Sequence, residues 1–187
     1  MIMPELAMHV LDIAQNSISA GAKHVKIVID ADRTRNILTI AVVDDGCGMD
    51  DEMEKRVLSP FTTSRTTRKV GLGIPFFKLG AECCDGNFEL KSEKGIGTSI
   101  TATYSISHID RPPIGDIAET IAMLVICNEK TDFVLSYTID GKTFIFDTEQ
   151  IKIVLGDGIP LTDPDVMGWI RDYLCQGIEE INGGIDL

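Results

Sequence analysis

Residues 44–50 read Asp-Asp-Gly-Cys-Gly-Met-Asp ("DDGCGMD") and follow directly on the apolar run 37–43, Ile-Leu-Thr-Ile-Ala-Val-Val. A short apolar run ending in a glycine-rich turn reads as a buried strand. A carboxylate at the end of such a strand must be solvated, paired or hydrogen-bonded, because burying a bare charge is costly. Asp44 holds that position. Adenine carries an exocyclic amine that a fixed carboxylate can accept, and Gly46 and Gly48 let bare backbone approach a flat ring. The same D-x-G-x-G pattern also occurs in ordinary turns and in fragments of calcium loops, so by itself it leaves these readings open.

Upstream, residues 24–29 form a second strand, separated from the first by the polar turn 30–36. Residues 3–20 repeat with a helical period. Met3, Leu6, Ala7, Val10, Ile13, Ala14 and Ser17 fall on one arc, and Glu5, His9, Asp12, Asn16 and Ala20 on the other, before Gly21 ends the helix. Downstream, a short helix over 50–57 leads into 59–69, a polar, β-branched stretch with neither period, read as a loop. Gly71-Leu72-Gly73 opens a helix over 72–83, in which Pro75 is tolerable because it lies in the first turn. Strands over 87–92 and 97–107 flank Gly95-Ile96-Gly97. This order implies a two-layer α/β sandwich with a mixed sheet covered on one face.

Past Pro112-Pro113 the composition shifts. A helix over 114–126, a hairpin turning at Asp140-Gly141 and helices over 148–155 and 163–182 form a small α+β appendage, giving two units, 1–110 and 111–187. Residues 108–187 carry 15 acids against 5 bases, whereas residues 1–107 carry 14 acids against 12 bases, so most of the net charge of -12 is C-terminal. Such a balance argues against nucleic acid as a partner. Locally the sign reverses: Lys55, Arg56, Arg65, Arg68, Lys69 and Lys78 fall between residues 55 and 81 with no acid among them, an arrangement suited to an anion. No apolar run is long enough for a membrane span and no signal-peptide pattern is present, so a cytoplasmic protein is expected. The five cysteines form no C-x-x-C pair and read as reduced thiols, with Cys83-Cys84 better suited to burial than to redox chemistry. Gly141-Lys142-Thr143 copies the end of a P-loop, but the earlier glycine that motif requires is Ser136, and the triplet reads as a hairpin turn.

Asp12 and Asn16 share one helix face, offering a potential base and a neutral oxygen donor; magnesium binds through hard oxygens and keeps several waters, so one amide oxygen plus phosphate oxygens would suffice. Both residues could equally face water. Gly71-Leu72-Gly73 at a helix start exposes backbone N–H groups to an anion, and Arg65, Arg68 and Lys69 precede it. Gly95-Ile96-Gly97-Thr98 suits a tight turn between strands as well as a ligand contact.

The segments "DIAQNSISAGA" (12–22), "DDGCGMD" (44–50), "SPFTTSR" (59–65), "KVGLGIPFFKLG" (69–80) and "GIGTSI" (95–100), in that order, resemble the ATP-binding domain shared by gyrase, heat-shock chaperones, histidine kinases and MutL, the GHKL superfamily. The resemblance covers about residues 3–107. It implies the Bergerat ATP-binding fold, with ATP and Mg2+ as ligands. It further implies that Asp44 meets the adenine amine, that Gly46, Gly48 and Thr98 line the base pocket, and that Asn16 holds magnesium. Residues 59–70, with Ser64, Arg65 and Lys69, would form the lid over the triphosphate, and Gly71, Leu72 and Gly73 its phosphate-binding turn. Where relatives carry a catalytic Glu, this chain has Asp12, one methylene shorter, as the candidate general base. Where kinase relatives often carry a base three residues past the Asn, it has Ser19.

The nucleotide helix lies so near residue 1 that no dimerisation and phosphoacceptor domain is expected ahead of it. Two uses of ATP remain. One is a stand-alone protein kinase or regulatory component acting on a separate protein; the other is an ATP-dependent switch or ATPase of the MutL or anti-sigma-factor type that binds a partner without phosphorylating it. A homodimer is a further partner expectation. "SHIDRPP" (107–113) resembles the run around a histidine kinase's acceptor and makes His108 a speculative phosphoacceptor, although it ends a strand and meets two prolines. His9, near Asp12, is expected to be a solvated surface histidine.

Overall fold

The computed structural model describes residues 5–58, 73–156 and 158–183. In chain order these form α1 (Leu6–Ser19), β1 (His24–Asp32), β2 (Ile37–Asp44), α2 (Asp51–Val57), α3 (Gly73–Cys83), β3 (Phe88–Glu93), β4 (Gly97–Ser105), α4 (Ile117–Cys127), β5 (Asp132–Ile139), β6 (Lys142–Asp147), α5 (Thr148–Leu155) and α6 (Pro164–Asn182). All six strands join one sheet in the order β3-β4-β2-β1-β5-β6. Only β1 and β5 run parallel; the other four neighbouring pairs are antiparallel, so the sheet is mixed. The C-terminal α+β portion shares this sheet, with β5 hydrogen-bonded beside β1 from His24↔Asp132 to Ala31↔Ile139.

Alternation along the strands explains the two layers. Val25, Ile27, Ile29 and Ala31 of β1, Leu38, Ile40 and Val42 of β2, and Phe133, Leu135, Tyr137 and Ile139 of β5 are buried on one face. Helices cover that face side by side, α3 against α1, α1 against α4 and α4 against α6. The other face carries residues such as Lys26, Val43 and Ile145 and lacks such a helical cover among the described residues. In α1 the buried stripe is Leu6, Val10, Ile13, Ala14 and Ser17, as the helical period requires. None of the helices is long and apolar enough to cross a membrane among the described residues.

His9 departs from the expected solvated position. It is only 3% exposed, because Phe77 of α3 lies over it with ring centroids 5.4 Å apart. The helical period of α1 assigned His9 to the polar arc; the packing of α3 on that arc buried it. Cys83, the last residue of α3, is exposed and Cys84, in the turn after it, is buried, and no cysteine is in a disulfide.

The strand register sets where the site lies. Thr98 opposes Asp44, Asp44 opposes Val25, and Val25 opposes Phe133, so the end of β2 and the starts of β1, β4 and β5 form one rim of the sheet. Ser105, Ile37, Asp32 and the Asp140-Gly141 turn form the opposite rim.

Candidate functional site

Asp44 ends β2 on the first rim, and two donors hold its carboxylate still. Ser17 Oγ of α1 donates to Oδ2 at 2.6 Å and the Gly46 N–H donates to Oδ1 at 2.9 Å. Each oxygen keeps a second lone pair for a ligand. The turn after it is anchored on three sides. Cys47 N–H bonds Ala20 O of α1's C-terminus at 2.9 Å, Asp45 accepts the N–H groups of Lys23 and His24 at 2.7 and 2.9 Å, and Gly95 N–H reaches Cys47 O at 2.8 Å. The His24 ring meets Asp45 at 2.7 Å. Burial works to raise the Asp45 carboxyl, but the hydrogen bonds from His24 and Lys23 outweigh it and hold it at about 2. The Asp45 hydrogen bond in turn raises His24 above its ordinary value.

A cavity of about 340 Å³ opens beside Asp44, lined by Asn16, Ser17, Ser19, Asp44, Gly48 and Thr98 and by the apolar side chains Ile13, Met49, Met53, Val57, Ile74 and Ile100. A mostly apolar wall with a few convergent polar groups suits a flat heterocycle with a polar edge. Thr98 Oγ1 lies 2.9 Å from Ser92 Oγ, which also accepts the Met49 N–H at 2.8 Å, so one hydroxyl ties the β3–β4 hairpin to the turn before α2. Asp50 starts α2 by accepting the Met53 N–H at 3.0 Å.

Of the residues singled out in the sequence, Asn16, Asp44, Gly48 and Thr98 therefore meet at one cavity. Gly46 lies beneath Asp44, where a Cβ would sit 3.0 Å from Ala20 Cβ and 3.0 Å from Asp44 Oδ1. Gly48 has φ +60, and a Cβ there would lie 2.0 Å from Glu93 O, so close packing on the hairpin already demands glycine at this position without any ligand. Asp12 and Gly73 adjoin each other: the Asp12 Oδ2 atom is 2.6 Å from where a Cβ on Gly73 would be. Their neighbours Ile13 and Ile74 line the cavity, so the first turn of α3 opens beside it, where helix N–H groups favour an anion. Burial raises the Asp12 carboxyl above the usual carboxylate range. Ser64, Arg65, Lys69, Gly71 and Leu72, and with them the lid over 59–70, lie outside the described residues.

His108 is not part of this site. It follows β4 in a turn, its Nδ1 accepting the Asp110 N–H at 3.2 Å and its Nε2 lying 3.8 Å from Asp85. Seven residue steps along β4 lead from Thr98 to Ser105, about 23 Å at strand rise, which puts His108 at the opposite rim.

Sequence reasoning missed Ser17 and the apolar walls. The period alone places Ser17 on the apolar arc, yet a serine inside a helix, one residue past Asn16, is itself a sign of a side-chain bond. Ile100 lies two residues beyond Thr98 and so shares its strand face. Met49 and Met53 carried no recognisable signal.

No three His, Cys, Asp or Glu side chains among the described residues could hold an ion. Asn16, which lines the cavity, offers one hard oxygen, so a cation here would have to share it with phosphate oxygens, a donor set that fits magnesium.

A family model described as "Histidine kinase-, DNA gyrase B-, and HSP90-like ATPase" matches residues 4–108. The sporulation kinase D of Bacillus subtilis is 30% identical over 98 residues, 52% of this chain and 19% of its own length. The non-motile and phage-resistance protein of Caulobacter vibrioides is 29% identical over 110 residues, 54% of this chain and 13% of its own length. The chain thus spans under a fifth of these relatives. A crystal structure of the N-terminal domain of a DNA repair protein superposes with a TM-score of 0.53 at 13% identity, covering 97% of this chain and 59% of that one, a likeness of fold.

Proposed function

The chain belongs to the family of histidine kinase-, DNA gyrase B- and HSP90-like ATPases, and on that premise we propose that it binds Mg-ATP in the cavity between α1, β2 and β4 and acts on a separate protein partner, as a protein kinase or regulatory component. The observation that carries this reading is the Asp44 carboxylate, fixed by Ser17 and Gly46 at the edge of an apolar slot and aimed by the strand end. A carboxylate in that setting accepts an amine proton from adenine, while Ile13, Met49, Ile74 and Ile100 exclude water around the ring. Asn16 would hold magnesium, which when bound neutralises phosphate charge, and the first turn of α3 would meet the phosphates with its N–H groups. The acceptor is sought outside this chain because His108 lies on the far rim. Residues 111–187 are the element that selects the partner.

Calorimetry with ATP, with and without magnesium, tests the site. Asp44→Asn turns one of the two acceptor oxygens into an N–H donor and removes the charge, and is expected to weaken ATP binding roughly a hundredfold or more, since the adenine amine then meets a donor or a neutral acceptor. Asn16→Ala is expected to keep magnesium-free affinity and lose the magnesium-dependent part. Undiminished affinity in Asp44→Asn overturns the adenine assignment.

A second reading, an ATPase or nucleotide-driven switch that binds its partner without phosphorylating it, draws support from Asp12. Its carboxyl is raised by burial and lies against Gly73 at the start of α3, the arrangement of a group able to take a proton from a water. γ-Labelled ATP separates the two: label on a second protein favours the kinase, and free phosphate lost in Asp12→Asn favours the ATPase.

A further inference from the structure

Among the described residues the sheet ends in two edge strands, β3 and β6, and these are built differently. On β3, charged residues recur at alternate positions, Glu89, Lys91 and Glu93, with Lys91 Nζ 2.8 Å from Glu89 Oε1. Charge along an edge strand keeps it from pairing with a foreign strand. On β6 the charges stand only at the ends, Lys142 and Asp147, and the centre, Thr143-Phe144-Ile145-Phe146, has none. Ile145 is 59% exposed on the face of the sheet away from the helices.

Beside the same edge α6 carries an aromatic stack. Val166, Ile170, Leu174 and Ile178 of α6 are buried, and Arg171 on one flank pairs with Glu119 of α4. Trp169, Tyr173 and Gly177 form the opposite flank. Trp169 lies parallel to Tyr173, with centroids 5.1 Å apart and planes 8° apart, and Tyr173 meets Phe144 edge-on at 5.3 Å. Gly177 is part of this arrangement, since a Cβ there would lie 2.2 Å from the Phe144 ring. Trp169 remains half exposed, and among the described residues no strand continues the sheet past β6.

From these observations we propose that the β6 edge and the Trp169–Tyr173 stack dock an extended, basic segment of a protein partner, which adds to the sheet as a seventh strand. Main-chain hydrogen bonds to β6 would supply affinity, and alternate side chains of the segment would rest on Trp169 or Ile145. Charge chooses the occupant. Residues 108–187 hold 15 acids against 5 bases, and Asp165 and Asp172 neighbour Trp169 on α6. A second copy would bring the same acids to the same edge and be repelled, whereas lysines or arginines of a foreign strand are drawn in. The inference rests on the reading that a protein partner exists and gives that partner its chemistry; nucleotide binding is independent of it.

Trp169 is the sole tryptophan, so its emission reports the stack directly. The probes are three capped octapeptides: alternating Lys and Val, alternating Glu and Val, and the Lys–Val sequence with a central proline. The full chain is expected to bind the Lys–Val peptide with a saturable change in Trp169 emission that weakens as salt rises. The Glu–Val and proline peptides should bind at least tenfold more weakly. Ile145→Lys restores charge to the middle of the edge and Asp172→Lys reverses the rim. Both residues are exposed, and both variants should lose at least tenfold in peptide affinity while keeping wild-type ATP affinity by calorimetry. Equal binding of the Lys–Val and Glu–Val peptides, or binding indifferent to both substitutions, overturns the proposal. So does a concentration-dependent dimer that Ile145→Lys dissolves in the ultracentrifuge, which would assign the edge to a second copy. Loss of ATP binding with peptide binding intact would instead sink the nucleotide reading and leave this one standing.

Discussion

Asp44 can read a hydrogen-bond donor only because other residues keep it from turning. Ser17 and Gly46 each occupy one lone pair, and the neighbouring Asp45 is spent on pinning the turn to β1. The adjacent carboxylates thus divide the work, one facing the cavity and one holding the frame. Glycine has a similar double duty at position 48, where φ +60 disfavours a Cβ and the approach of Glu93 O excludes one. Gly48→Ala is therefore expected to lower stability by more than the roughly 1–2 kcal/mol of a strained left-handed residue, because the hairpin must also move. A urea midpoint unchanged from wild type would show that the turn has room the packing denies. The position of Asp44 was legible in the sequence as a carboxylate at a strand end. That Gly48 serves the β3–β4 hairpin was not, since Glu93 is 45 residues away in the chain.

At the scale of elements, α1 is the part on which the site depends most. One face fills the core and ends in Ser17 at the rim, and the other presents Asp12 and Asn16 and packs against α3. His9 marks the seam: it is buried against Phe77, and its Nδ1 has no hydrogen-bond partner among the described residues. Burial lowers its pKa below the ordinary value of 6.5. The unfolded chain consequently binds a proton below about pH 6.5 that the folded chain does not, and stability falls as the pH drops through that range. Replacing the ring with a group that does not titrate, His9→Gln, should flatten this part of the curve of urea midpoint against pH between 7.5 and 5. Parallel curves for the two proteins would mean that the ring takes up its proton equally readily in the folded and the unfolded chain. Helix α1 itself was legible from its period. Its burial on the second side was not, because a period describes one helix and says nothing of the neighbour that lies across its polar arc.

Across the whole molecule, the sheet brings the rim that carries the cavity and the C-terminal strands into one body. β5 starts beside β1 at His24↔Asp132, Lys152 of α5 pairs with Asp132 at 2.7 Å, and the Asp45–His24 pair stands at the same rim. A ligand that binds only the folded chain should therefore stabilise all of it together. At a hundred times the dissociation constant the gain is about 2.7 kcal/mol, or roughly 5–10 °C in Tm for a chain of this size. Differential scanning calorimetry with ATP should show one transition, moved upward as a unit, and no movement in Asp44→Asn. Two transitions, of which ATP moves only one, would mean that the rim does not couple β5 and β6 to the site.

From the sequence alone came the elements and their order, the strand-end carboxylate and the family. Period, glycine spacing and charge are properties of neighbouring residues, and these features need nothing more. Only the tertiary structure decided that the C-terminal hairpin extends the same sheet, that His9 is buried, that Ser17 orients Asp44 and that His108 lies a strand's length from the cavity. Each of these depends on which distant segments pack together, and that is determined by strand register and helix placement rather than by any local pattern.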